Sequence, residues 1–254
     1  MTDFTQPLAG RKALVTGASA GIGLATATHL AELGADVVVS ARRADRLDQL
    51  AAEIASSGGT AHAIAGDASD VEHVDRLWHT ATERLGGTPD LVVANAGRGL
   101  QGSVLTSDHS AWESMFKVNV LGAMHLLRIA ADALSAADGP RDLVVLGSVV
   151  GTNVSPFSGV YGATKFAIES AAEGLRREVG PKGVRITLVK PGIVKSEFQE
   201  VAGYDEENFG KAVAKFGPML VPDDIARCIA FTCAQPANVH VNTLTVRPVG
   251  QDYP

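Results

Sequence analysis

Cysteine is scarce: 254 residues hold only Cys228 and Cys233. The two stand five positions apart on an expected helix, where residues on one face lie three or four apart. A disulfide between them would be strained. They read as small buried apolar residues, and a reducing cytoplasm is the expected compartment. Basic charge is also short. The net charge is −6 and the Lys and Arg residues are scattered, so the footprint that a nucleic-acid partner needs is missing. No apolar run reaches the ~18 residues of a membrane span. Residues 1–10 are polar and lack the apolar stretch of a signal peptide. Neither a membrane partner nor a metal site is expected. Internal repeats, charge blocks and Ser/Gly linkers are missing too. The length suits one α/β domain with a large core, and a single domain over residues 1–254 is the expectation.

What is present is an alternation. Short runs rich in Val, Ile and Leu fall at 13–16, 37–40, 61–65, 91–94, 143–146, 186–189 and 244–246. They show little polar alternation, as strands covered on both faces should. Helical stretches at 21–33, 44–56, 71–85, 112–134, 159–179 and 222–233 lie between them. Strand-helix-strand repetition predicts a Rossmann-type doubly wound parallel sheet of about seven strands with helices on both faces. Ligands of such sheets bind at the carboxyl ends of the strands. Residues 192–220 break the rhythm, with Gly203, Gly210 and an acidic cluster at 205–207. A long connection of this kind is read as a substrate lid. Its Phe198, Tyr204, Phe209, Phe216 and Met219 suggest apolar pocket walls, with Arg98, Gln101 and Asn153 as polar contacts.

Thr16-Gly17-Ala18-Ser19-Ala20-Gly21-Ile22-Gly23 follows the first strand and opens the first helix. Glycines there allow a tight turn and let backbone N–H groups approach a pyrophosphate at the positive helix end. The spacing is G-x-x-x-G-x-G, different from the common G-x-G-x-x-G fingerprint. The second strand ends at Ser40-Ala41-Arg42-Arg43. An NAD enzyme wants an acidic side chain at this end for the ribose 2′-OH. Asp36 stands at the other end, more than about 10 Å away at ~3.3 Å per residue. Arg42, helped by Ser40 or Arg43, fits a 2′-phosphate. Positive charge on the first turn of the next helix opposes its dipole, which disfavours a purely solvated role. NADP(H) is therefore the expected cofactor. Asp67-Ala68 follows the third strand, where Asp67 either accepts from an adenine amino group or caps a turn. Asn95-Ala96-Gly97 follows the fourth, small enough to sit against a cofactor or simply to turn.

Tyr161-Gly162-Ala163-Thr164-Lys165 opens a long helix, and positions i and i+4 share a face. A phenol has a reference pKa near 10, and a neighbouring ammonium favours its ionised form. That is one route to a general acid/base. Ser148 ends the fifth strand, thirteen residues earlier, facing the same crevice. Its hydroxyl either holds a substrate oxygen or caps a turn. Asn119 lies inside an apolar helix and must find partners. It either holds Lys165 through water or backbone, or is satisfied locally.

In order and spacing, Thr16 to Gly23, Asp67, Asn95-Ala96-Gly97, Asn119, Ser148, Tyr161-x-x-x-Lys165 and Pro191-Gly192 resemble the short-chain dehydrogenases/reductases. The resemblance spans about residues 9 to 250. It implies a catalytic set of Asn119, Ser148, Tyr161 and Lys165. It also implies that Lys165 binds nicotinamide-ribose hydroxyls and that Asn119 anchors a proton-relay water. Pro191, Gly192, Ile193 and Ser196 would meet the nicotinamide end, with the Ile193 backbone on its carboxamide. Ser196 replaces a usual threonine, Ala94 a common asparagine, and Gly147 a frequent second serine. The segment from Asn238 to Gln251 resembles the branch of NADP-dependent 3-hydroxy acid and serine dehydrogenases. The family is usually dimeric or tetrameric, which places helices 112–134 and 159–179 at an expected interface.

The leading expectation is an NADP(H)-dependent carbonyl reductase or alcohol dehydrogenase acting on a small molecule. A second keeps the fold but has bound nucleotide serve epimerisation or dehydration. A third is a non-catalytic NADP(H) sensor or scaffold, since fold alone does not fix function; the intact Ser/Tyr/Lys set argues against it.

Overall fold

A computed structural model describes residues 6–204 and 206–252. Its strands are β1 (Lys12–Thr16), β2 (Asp36–Ala41), β3 (Thr60–Ala65), β4 (Leu91–Ala94), β5 (Asp142–Leu146), β6 (Arg185–Pro191) and β7 (Thr243–Val246). They form one sheet in the order β3-β2-β1-β4-β5-β6-β7, with every neighbouring pair parallel. The helices are α1 (Gly21–Glu32), α2 (Ala44–Ser56), α3 (Val71–Arg84), α4 (Trp112–Phe116), α5 (Ala123–Ser135), α6 (Gly159–Val179), α7 (Phe198–Val201), α8 (Glu206–Ala214) and α9 (Pro222–Cys233). This is the Rossmann-type doubly wound sheet that the strand-helix alternation predicts.

The continuous apolar runs have a direct cause. In β1, Ala13 and Val15 enter one core while Leu14 enters the other. In β2, Val37 and Val39 face one way and Val38 the other. Side chains alternate between faces, and both faces are covered, so the middle of each of these strands is apolar on both sides and polar residues fall at its ends. Leu30 of α1, Leu50 of α2 and Ile229 of α9 cover the first face. Leu77 of α3, Leu134 of α5 and Ile168 of α6 cover the second. Each fully buried leucine contributes roughly 2 kcal/mol.

The two ends of the sheet differ. At the amino ends, Asp142 is 2% exposed and is gripped by two guanidinium groups. Arg11 Nη2 lies 2.8 Å from its Oδ2 and Arg185 Nε 2.7 Å from its Oδ1. Arg11 also reaches Asp90 at 2.6 Å. Charges buried in this way persist only when paired. At the carboxyl ends the chain leaves β1 and β4, sheet neighbours, in opposite directions, which opens a crevice between their loops.

Two expectations change. The helix expected at 112–134 is interrupted: Lys117–Gly122 forms a π-helical segment between α4 and α5. The connection 192–220 is less irregular than expected, since it carries α7 and α8. Of its acidic cluster, Asp205 lies outside the described residues. Cys228 and Cys233 are free thiols. Among the described residues no helix is long and apolar enough to cross a membrane.

Candidate active site

A cleft of about 1060 Å³ runs along the carboxyl ends of the strands. Its floor at the switch point is the glycine loop after β1. Gly17 and Gly21 have φ of +68° and +57°, which side chains other than glycine rarely adopt. A Cβ on Gly17 would lie 2.7 Å from Asn95 Nδ2, and one on Gly23 2.4 Å from Gly17 O. Asn95 knits the two loops together, donating to Thr16 O at 2.8 Å and Gly17 O at 3.2 Å. Thr16 Oγ1 in turn accepts from the amides of Asn95 and Ala96 at 3.2 Å. The Asn95 side chain is thereby spent on the scaffold, and Ala96 and Gly97 line the cleft. At the start of α1, Ala20 offers no side-chain cap. The first amides of α1, near Ser19, Gly21 and Ile22, stay without such a partner, the arrangement that binds phosphate. A dinucleotide fits this cradle.

Beyond it, Ser40 is buried at the end of β2, and Arg42 is exposed and lines the cleft. Arg42 makes no hydrogen bond or salt bridge among the described residues, whereas Arg43 is fully engaged. Its Nε lies 3.1 Å from Ser19 Oγ and its Nη1 2.9 Å from Glu197 Oε2. Arg46 holds the other Glu197 oxygen at 2.5 Å. These contacts pull the Glu197 carboxyl below its ordinary range. Asp36 pairs with Lys12 at the amino end of β2, remote from the cleft. Asp67 Oδ1 accepts the Ser69 amide at 2.9 Å and hydroxyl at 2.8 Å. Burial pushes the Asp67 carboxyl up, but these bonds and the nearby Arg42 bring it below the usual value. Asp67 caps a turn, then, while still lining the cleft beside Ala68. Ala68 sits close because its carbonyl packs where Gly122 has no Cβ.

The chemical end is assembled from β5 and α6. Ser148, in extended backbone after β5, hydrogen-bonds the Tyr161 phenol and also caps the turn at Val150, 3.4 Å away. Lys165 Nζ lies 5.7 Å from the centroid of the Tyr161 ring and donates to Leu146 O at 2.7 Å. Both side chains are buried. Burial raises the Tyr161 phenol, and the hydrogen bond from Ser148 only partly offsets that. Burial pushes Lys165 down to about 8, against the field of Glu169. The expected lowering of the phenol by Lys165 is not what sets it: desolvation dominates, and only Ser148 acts to lower it. Asn119 does not touch Lys165. It is satisfied locally, by both backbone groups of Arg98 and by Thr164 Oγ1. Its π-helical setting alters the surrounding backbone hydrogen-bond pattern, as such turns often do near functional sites.

Pro191, Gly192, Ile193 and Ser196 line the cleft after β6. Within this group the Ile193 amide donates to Gln251 Oε1 at 3.0 Å. Gln251 approaches this closely because Gly192 lacks a Cβ, which would lie 2.3 Å from that oxygen. Ser196 Oγ accepts the Phe198 amide at the start of α7. Its Cβ stands opposite Gly21, 3.6 Å from where a Cβ there would be. Over the chemical end, the Phe198 ring packs 5.5 Å from the Tyr161 ring, and Tyr204 stacks on Phe209 at 4.7 Å. Phe209, Val213 and Phe216 continue this apolar wall, with Gln101 among its polar groups.

The family model described as short chain dehydrogenase matches residues 11–207. The chain belongs to the short-chain dehydrogenase/reductase family. This short-chain dehydrogenase/reductase is an oxidoreductase by that membership and by its relatives. It is 33% identical over 242 residues to the uncharacterized oxidoreductase SA2266 of Staphylococcus aureus strain N315, covering 95% of this chain and 99% of the relative. An alcohol dehydrogenase from the archaeon Thermococcus sibiricus, complexed with 5-hydroxy-NADP, is 30% identical with a TM-score of 0.83, covering 96% of this chain and 99% of that one. The closed form of a serine dehydrogenase complexed with NADP+ is 28% identical with a TM-score of 0.83, over 95% and 96%.

Three participants in this short-chain dehydrogenase/reductase escape sequence reasoning: Glu169, Glu197 and Gln251. Glu169 carried a faint signal, a charged residue on the otherwise apolar face of α6, one turn beyond Lys165.

Proposed function

We propose that this protein is an NADP(H)-dependent oxidoreductase that interconverts a carbonyl and an alcohol on a small molecule, with Tyr161 as general acid/base. The observation that carries the reading is the convergence of Ser148, Tyr161 and Lys165 at one end of the cleft, with the Lys165 ammonium 5.7 Å from the centre of the Tyr161 ring. It lies at the far end of the same cleft as the glycine cradle. NADPH, when bound there, would supply the hydride for the carbonyl carbon. Gly17, Ser19, Ala20, Gly21, Ile22 and Gly23 would hold its phosphates, and Arg42 its 2′-phosphate. Asp67, Ala68, Asn95, Ala96 and Gly97 would flank it, and Pro191, Gly192, Ile193 and Ser196 would hold its nicotinamide end.

The protein groups divide the remaining work. Ser148 donates a hydrogen bond to the substrate oxygen as charge develops there. Tyr161 Oη gives that oxygen its proton. Burial keeps the phenol protonated at neutral pH, which suits the reducing direction. Lys165, pushed down to about 8, exchanges a proton readily near neutrality and restores the phenol. Asn119 positions the first turn of α6 through Thr164. Residues 192–220 act as a lid whose Phe198 and Tyr204 exclude water from the reacting atoms. The protein works as a single domain in the cytoplasm, as a dimer or tetramer.

A screen of NADPH oxidation against ketones, aldehydes and 3-oxo acids, read by absorbance, tests the reading. Turnover is expected for at least one class, faster with NADPH than with NADH. Tight NADPH binding with no consumption across the screen would instead favour epimerisation, dehydration or a sensing role.

A further inference from the structure

Glu169 lies two turns after Tyr161 and one after Lys165, so the three share one face of α6. It is 9% exposed. A carboxylate is seldom buried to this degree unless something holds it. Here its Oε1 accepts the backbone amide of Ser148 at 3.1 Å. Thr152 hydrogen-bonds the same carboxylate, and Lys190 of β6 donates to Thr152 Oγ1 at 3.0 Å. The backbone is shaped for it. A Cβ on Gly147 would lie 2.6 Å from Glu169 Oε1, and one on Gly151 would overlap it. The glycine before Ser148 and the glycine three residues after it both leave room for one carboxylate.

We propose that Glu169 is a positioning residue whose carboxylate anchors the main chain of Ser148, so that the serine hydroxyl meets Tyr161 and the substrate oxygen together. The inference rests on the role given to Ser148 above. The anchored group is the amide, so the hydroxyl remains free to serve the site. The charged or titratable groups facing Glu169 are Lys165 and Tyr161 on its own helix and Lys190 on β6. A competing role, as a charge partner of Lys165, predicts a different pattern of variants.

Three substitutions separate the two. Glu169→Gln keeps the length and an acceptor oxygen but removes the charge. Glu169→Asp keeps the charge but withdraws the oxygen from the amide. Glu169→Ala removes both. Anchoring predicts kcat within ~3-fold of wild type for the Gln variant and ~10-fold lower for the Asp and Ala variants, the scale of one lost hydrogen bond. KM for NADPH stays put in all three. In a Ser148→Ala background the same Asp and Ala changes should lower kcat by no more than ~2-fold, because acting through Ser148 makes the effects non-additive. Benzaldehyde with NADPH is the assay pair. Hydrogen exchange of residues 146–152 in the cofactor-free protein gives an independent reading: faster in the Asp and Ala variants, unchanged in the Gln variant. If the Ala variant does not fold, the Asp variant carries the comparison. Loss in Gln with retention in Asp, full additivity with Ser148→Ala, or unchanged exchange would each overturn the proposal. Full turnover of Ser148→Ala and Tyr161→Phe would instead remove the acid/base reading, and hydrogen exchange would still decide whether Glu169 holds the amide.

Discussion

Asn119 clasps the peptide of Arg98 from both sides. The Arg98 amide donates to Asn119 Oδ1, and Asn119 Nδ2 donates to Arg98 O, each at 2.8 Å. The same Nδ2 reaches Thr164 Oγ1 at 3.0 Å, and that hydroxyl donates to Tyr161 O at 2.7 Å. One buried amide thus ties the loop after β4 to the first turn of α6. Asn119→Ala leaves these buried groups without their partner. It should cost about 2–3 kcal/mol, read as a lower thermal midpoint by circular dichroism. An unchanged midpoint would show that the clasp is energetically idle.

Tyr161→Phe keeps the ring against Phe198 and removes only the hydroxyl. We expect kcat to fall at least ~100-fold, the usual worth of a positioned general acid. NADPH affinity, measured by fluorescence titration, should hold. Near-normal turnover would end the assignment of Tyr161 as the acid.

The two arginines after β2 differ in how much of their charge is already used. Arg42→Asp should lower the NADPH-to-NADH ratio of kcat/KM by ~10-fold or more, since it removes a fork suited to phosphate and adds a repelling charge. Glu197→Ala should act in the opposite sense. It releases Arg43 and Arg46 from a carboxylate, so KM for NADPH should fall by ~3-fold as freed guanidinium groups become available to phosphate. A cofactor ratio indifferent to Arg42→Asp would make that residue plain surface.

Lys165 should leave a mark on stability against pH. An unfolded lysine keeps its proton to about 10.5, but the folded one only to about 8. Between those values the unfolded chain binds more protons, so stability rises with pH across that window. Below about 8 both states are charged and the cost of the buried ammonium is complete. The span is on the order of 3 kcal/mol. The raised Tyr161 phenol acts in the opposite sense above about 10: the unfolded tyrosine ionises there while the folded one keeps its proton, so stability declines as pH rises further. Thermal midpoints of wild type and Lys165→Met, compared from about pH 7 to about pH 10, test this. Wild type should gain on the variant as pH rises. Parallel profiles would contradict it.

The sheet was legible because burial on both faces leaves no choice but continuous apolar strands. Leu91–Ala94, Ala44–Ser56, Gly159–Val179 and Pro222–Cys233 fall where the pattern puts them. The glycine loop, Ser148, Tyr161 and Lys165 were legible because each follows a strand or opens a helix at the carboxyl edge. The π-helical turn was not, because six residues of altered hydrogen bonding leave the apolar pattern nearly untouched. Nor were the helices in 192–220, short and broken by Gly203, whose φ is +81°. Glu169 and Gln251 act on amides 21 and 58 positions away in sequence. Pairings of that length are set by packing, and local spacing carries no trace of them.

The π-helical turn at Lys117–Gly122 also fixes an angular phase. Each residue of an α-helix turns the chain by about 100°. The π-helical turn accommodates one more residue than an α-helix would over the same rotation. If the same residues reverted to regular α geometry, Leu126, Leu127, Ala130 and Leu134, which now press on the sheet, would swing off it by about one residue's 100°. Deleting one residue within the turn would restore regular geometry and keep that phase, whereas the same deletion further along the helix would displace a whole core face at once.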